Sequence, residues 1–170
     1  MALNVIAFQA GWLACVLSAA YGSPGAGLAA AAAVVAWHAT RAARPAQELK
    51  LLAMAVLIGV FWDSALVALG WLAFAPDALL EQLAPYWILA LWAMFATTLN
   101  VSLGWLRGRW LLAALLGALA GPLSYWAGAK LGAVVLLEPV PALTALAIGW
   151  ALILPALLAL ARRYDGFAPR

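Results

Sequence analysis

Polar residues divide this chain into six apolar segments. The first runs from about Leu3 to Tyr21 and stops at Gly22-Ser23-Pro24-Gly25, a turn by composition. The second covers about 26–40, ends at Arg41 and Arg44, and is followed by Pro45. The third covers about 49–74 and gives way to Asp77, Glu81 and Pro85. The fourth covers about 85–106 and closes on Arg107-Gly108-Arg109. The fifth covers about 110–131 and carries Gly121-Pro122, where a kink is expected because proline removes a backbone donor. The sixth covers about 141–161, contains Pro155, and ends at Arg162-Arg163. None shows the polar stripe of an amphipathic soluble helix. Uncharged runs of about 18 residues or more read as membrane spans. The expectation is an all-α polytopic bundle of six transmembrane helices in one integral membrane domain covering residues 1–170.

Composition agrees. Of 170 residues, 69% are hydrophobic and 9% charged, against about 25% charged in a soluble domain, whose surface must face water. The net charge of +3 is no nucleic-acid footprint, because the basic residues sit at segment ends. Under six spans Arg41, Arg44, Lys50, Arg107, Arg109, Arg162, Arg163 and Arg170 share one side, and only Lys130 lies on the other with Asp77, Glu81 and Glu138. Positive residues stay cytoplasmic. The chain is therefore expected in the inner (cytoplasmic) membrane of a bacterium, with both termini on the cytoplasmic side. The start Met1-Ala2-Leu3-Asn4 lacks a basic region, so the first helix is expected to be retained rather than cleaved as a secretory signal. One cysteine, Cys15, allows no internal disulfide, and one histidine, His38, cannot supply a paired-imidazole haem site or a histidine-rich iron site. No metal or other cofactor is expected, and no nucleic-acid partner.

Candidate chemistry lies in polar residues within the spans, where ionisable groups are costly. Counting about 1.5 Å per residue sorts them into two layers. Gln9, His38, Thr97 and Asn100 lie roughly 5–10 Å from the cytoplasmic boundary by that rise, with Asn4 nearer the water. They can form a relay or headgroup-binding cluster, or bond across helices as membrane amides commonly do. Asp63 lies about 20 Å deep by the same count, level with Ser18, Ser124 and Tyr125, with Lys130 a little further out. Asp63 reads either as a proton carrier or acid/base at the polar end of a pocket, with Ser124 and Tyr125, or as a helix–helix clamp to Tyr125 or Lys130. Trp71, Trp87, Trp105 and Trp110 fit an interfacial belt. Trp12, Trp62, Trp92, Trp126 and Trp150 are central, and either pack or line a pocket for an acyl chain or isoprenoid.

Phe8-Gln9-Ala10-Gly11-Trp12, Asp63-Ser64, Thr97-Thr98-Leu99-Asn100 with Trp105-Leu106, and Gly121-Pro122-Leu123-Ser124-Tyr125 together resemble a bacterial inner-membrane family catalogued as domain of unknown function 2878. In the family pattern a histidine often follows the asparagine of the fourth span; Val101 stands there in this chain. The resemblance implies no activity. Through neighbouring genes resembling cyclopropane-fatty-acid synthases and flavin oxidases, it implies an association with membrane-lipid modification. The reading is an inner-membrane protein that binds or helps to modify lipid or acyl chains, with Asp63, Tyr125 and Ser124 as candidate catalytic groups. Gln9, Trp12, His38, Trp92, Thr97, Asn100 and Trp126 are the candidate binding groups. A small proton-coupled transporter or flippase, or a structural subunit of a membrane enzyme, is the alternative. The expected partners are membrane lipid, a second copy, or a membrane enzyme.

Overall fold

The computed structural model describes residues 1–75 and 83–168; the acids expected in the third loop, Asp77 and Glu81, lie outside them, as does Arg170. Among the described residues six α-helices form: α1 (Ala2–Ala20), α2 (Gly25–Arg41), α3 (Pro45–Ala68), α4 (Tyr86–Leu99), α5 (Trp110–Lys130) and α6 (Pro139–Arg163). Four of them, α1, α3, α5 and α6, are long and apolar enough to cross a membrane. At 14 residues α4 is apolar but short, and α2 has 17.

Three boundaries differ from expectation, each for a local reason. The third segment enters its helix earlier, because Pro45 suits a first helical position, where no N–H is needed. This draws Glu48 into the helix. It also leaves earlier: Gly70 takes φ +68° after α3, and Leu72–Phe74 become β1 instead of a last helical turn. Strand β1 pairs antiparallel with β2 (Val134–Leu136), Leu72 opposite Leu136. An isolated two-stranded ribbon is marginal; this one survives because Leu72 and Val134 are buried. The fourth helix ends at Leu99 rather than near Leu106. Thr97 and Thr98 turn their hydroxyls back onto Met94 O and Phe95 O, and after Asn100 the chain continues in turns and a single 3-10 turn at Gly104–Leu106. By contrast α5 runs unbroken through Pro122, and α6 through Pro155.

The short helix is the centre of the bundle. α4 packs against α1, α2, α3 and α6, while α5 packs chiefly on α6. Its all-round apolar sequence follows from that position, since a helix buried on every side needs no polar face. Trp87, Trp92, Met94, Ala96 and Leu99 are all buried along it. Asn4 donates to Thr97 O and accepts from Ser102 Oγ, and Asn100 donates to Tyr164 O, so both chain termini lie at one end, the terminal end. The ribbon marks the other.

Candidate functional site

Two polar clusters and one cleft are candidates. The first cluster surrounds Asp63, which α3 places in the interior with no exposed surface. Oδ2 accepts the Trp92 indole N–H at 2.6 Å, and Oδ1 accepts the Tyr125 hydroxyl. Both partners are donors, which suits a carboxylate acting only as acceptor. One acid thus ties α3 to α4 and α5. Trp92 is seated tightly: a Cβ on Gly59 would clash with the indole ring. Lys130 takes no part and lies over the Trp126 ring, 5.4 Å from its centroid. Ser124 donates to Gly121 O within its own helix. Ser18, at similar depth, joins α1 to α2 by accepting the Gly27 N–H.

The cleft lies between α1–α4 on one side and α5–α6 on the other, with a volume of about 480 Å³. Phe8, Gln9 and Trp12 come from α1 and Trp92 from α4, while Ser124 and Tyr125 come from α5. Trp150 of α6 stacks on Trp92, centroids 4.9 Å apart and planes 13° from parallel. From Gly117 to Gly128 the cleft follows α5 for about 16 Å. Gln9, Ala120 and Leu123 are exposed among the lining residues, so the opening is on the flank, between α1 and α5. Asp63 is not a lining residue. It stands behind the wall, and Trp92 and Tyr125 turn their polar atoms away from the cleft towards it. Trp126 lies outside the cleft, half exposed.

The second cluster, at the terminal end, is centred on a residue that the sequence reading passed over. Glu48 is fully buried and takes three donors: His38 Nε2 at 2.7 Å on Oε2, and the Asn100 amide and the Gly166 N–H (2.8 Å) on Oε1. His38 and Asn100 therefore meet through Glu48. Gln9 does not join them; it lies on the cleft lip. Thr97 is spent on its own helix, and Asn4 takes the place beside it, on Thr97 O. Arg107 donates to Asn100 Oδ1 and pairs with Asp165 Oδ2 at 2.7 Å. Partial burial pushes the Asp165 carboxyl up, but the bond from Arg107, its charge, and the N–H groups of Phe167 and Ala168 together hold it below the usual aspartate range. Two sequence cues point here: an acid in the first turn after a helix-starting proline, and a lone acid two residues after Arg163.

Against known proteins, a family described as "Protein of unknown function (DUF2878)" matches residues 1–156. No curated protein and no solved structure matches the chain.

Proposed function

The chain belongs to the DUF2878 family, and from that premise we propose that it is a bacterial inner-membrane protein which holds a lipid hydrocarbon chain in the cleft between α1 and α5. The observation that carries this reading is the cleft itself. At about 480 Å³ it falls within the usual range of small-molecule sites, roughly 300–1,000 Å³. Its flank opening faces the lipid if the long helices cross the bilayer. Its walls are mostly aromatic and aliphatic, and the buried indole N–H groups of two of them, Trp87 and Trp150, have no partner among the described residues. Ser124 has already spent its hydrogen on Gly121 O, and Tyr125 its own on Asp63. The Gln9 amide on the lip is left to meet a polar group. Such a lining suits a hydrocarbon chain carrying few polar groups, and its length of about 16 Å is half the roughly 30 Å hydrocarbon core.

In this reading Asp63 is a positioning residue. By holding the Trp92 N–H and the Tyr125 hydroxyl, it fixes two wall residues from two helices and keeps the cleft open and shaped. A transporter would instead ask Asp63 to exchange protons with the cleft. Its complete burial behind that wall, with both oxygens bonded, favours the clamp.

The orientation we propose has the terminal end in the cytoplasm. Arg41, Arg44, Lys50, Arg107, Arg109, Arg162 and Arg163 gather there, and Lys130 ends α5 beside the ribbon.

The test is native mass spectrometry of protein taken from its membrane in mild detergent. Wild type should retain a lipid-mass adduct, and Ala120→Trp, which fills the lip from an exposed position, should lose it while keeping its thermal transition. An adduct equally retained by Ala120→Trp, or none on wild type, would sink the reading.

A further inference from the structure

Beyond the cleft, the segment Tyr164–Ala168 after α6 forms a strap over the terminal end. Gly166 O accepts the Arg44 N–H at 2.9 Å, and Gly166 N–H reaches Glu48 at 2.8 Å. The Phe167 ring lies 4.9 Å from that of His38. Gly166 is required by space: a Cβ there would sit 2.8 Å from Arg44 O and 3.0 Å from Glu48 Oε1.

Two guanidinium groups from separate connections converge on one strap residue. Arg107, between the 3-10 turn and α5, pairs with the Asp165 carboxylate; Arg44, just before α3, donates to the Asp165 main-chain carbonyl at 2.6 Å. The match is poor. A guanidinium facing a carboxylate commonly forms two parallel bonds. Here the second Asp165 oxygen is taken by the N–H groups of Phe167 and Ala168, and Arg44 gets only a carbonyl. The Nε atoms of Arg44 and Arg107 are both buried with no partner among the described residues. The seat thus has more donors than the strap has acceptors. A phosphate group, with three peripheral oxygens and up to two charges, has the shape and charge that two guanidinium forks recognise.

We propose that Arg44 and Arg107 form a seat for a phosphate group, that Asp165 occupies it as an internal stand-in, and that a phosphate-bearing ligand displaces the strap. Among the described residues Glu48 of α3 is the one neighbouring carboxylate besides Asp165, and His38 of α2 and Asn100 after α4 keep it covered when Gly166 leaves. Arg41, Arg109 and Arg163 stand close to the seat in sequence, each with its charge over an aromatic ring, and add positive potential without competing for Asp165. The phosphate belongs either to an anionic lipid headgroup or to a soluble phosphate species.

The experiment uses the full chain in nanodiscs with Ala168→Cys as reporter, Cys15 being buried. The rate of thiol labelling reads strap release. Inorganic phosphate is titrated into phosphatidylcholine discs, and separate discs contain phosphatidic acid. Either probe should speed labelling. Response to phosphatidic acid alone assigns the seat to headgroups; response to both assigns it to phosphate in general. Asp165→Asn should raise the resting rate and tighten binding of the responding probe by about tenfold or more, because the stand-in no longer competes. Arg107→Lys, which keeps the charge but loses the fork, should weaken it. A strap that serves only as structure would be released by Asp165→Asn with no probe response, and that result overturns the proposal. So does equal probe affinity in parent and Asp165→Asn.

Discussion

The Trp92 indole donates to Asp63 Oδ2 at 2.6 Å, so a wall residue of the cleft is held from behind by an acid on a neighbouring helix. A buried donor without an acceptor costs about 1–3 kcal/mol, and Asp63→Leu strands two of them, on Trp92 and Tyr125. We expect it to destabilise the protein by roughly 2–6 kcal/mol, twice that unit cost, read as a lower thermal transition in detergent. Asp63→Asn keeps one acceptor oxygen and should lose about half as much. A fully stable Asp63→Leu protein would show that the clamp is dispensable.

Gly59→Ala tests the same wall from α3, one helical turn before Asp63. Its added methyl collides with the Trp92 ring, and overpacking of this kind typically costs about 1–3 kcal/mol. Because the ring must shift, the variant should also loosen the bond to Asp63, so combined with Asp63→Asn it should cost less than the sum of the two alone. Simple additivity in a double-mutant cycle would mean that Gly59 and Asp63 do not act through Trp92.

The apolar segments were legible because hydrophobic length is read directly from sequence, and so was the interior position of Asp63. Its partner Trp92 was foreseen as a pocket residue but not as a donor, since pairing between helices 29 positions apart leaves no local trace. The ribbon was missed because Leu72–Phe74 continues the apolar run of α3, and a short apolar run does not tell strand from helix. The same ambiguity hid the end of α4, where Val101–Leu106 reads as further span. Glu48 was passed over for the opposite reason. Arg44, Gln47 and Lys50 surround it in sequence, so it looked like loop, and only the fold brings His38, Asn100 and Gly166 to it.

Topology can be checked independently of any ligand. Reporter fusions after Arg44, Arg109 and Arg163 should read cytoplasmic, and fusions near Asp77 and Glu138 periplasmic, following the distribution of basic residues. A periplasmic signal from the C-terminal fusion would reverse or remove the orientation proposed.

The strap should respond to acid with a defined sign. Asp165 is held below the ordinary aspartate value, first against the effect of its partial burial and then by Arg107 and two backbone N–H groups. A carboxyl depressed in the folded state binds protons less readily there than in the released strap. Its contribution to docking is therefore fully present above the ordinary value of about 3.9 and is lost as pH falls through the lower, docked value. The groups around it are Arg107 and Arg44, and beyond them Glu48 with His38. Labelling of Ala168→Cys, corrected for the reactivity of a free thiol at each pH, should hold steady through Asp165's range above about pH 5 and rise below about pH 4, bracketing that ordinary value. In Asp165→Asn the acid rise should disappear, leaving a uniformly faster rate. A rise already complete between pH 7 and 5, unchanged by Asp165→Asn, would show that Asp165 does not control the strap.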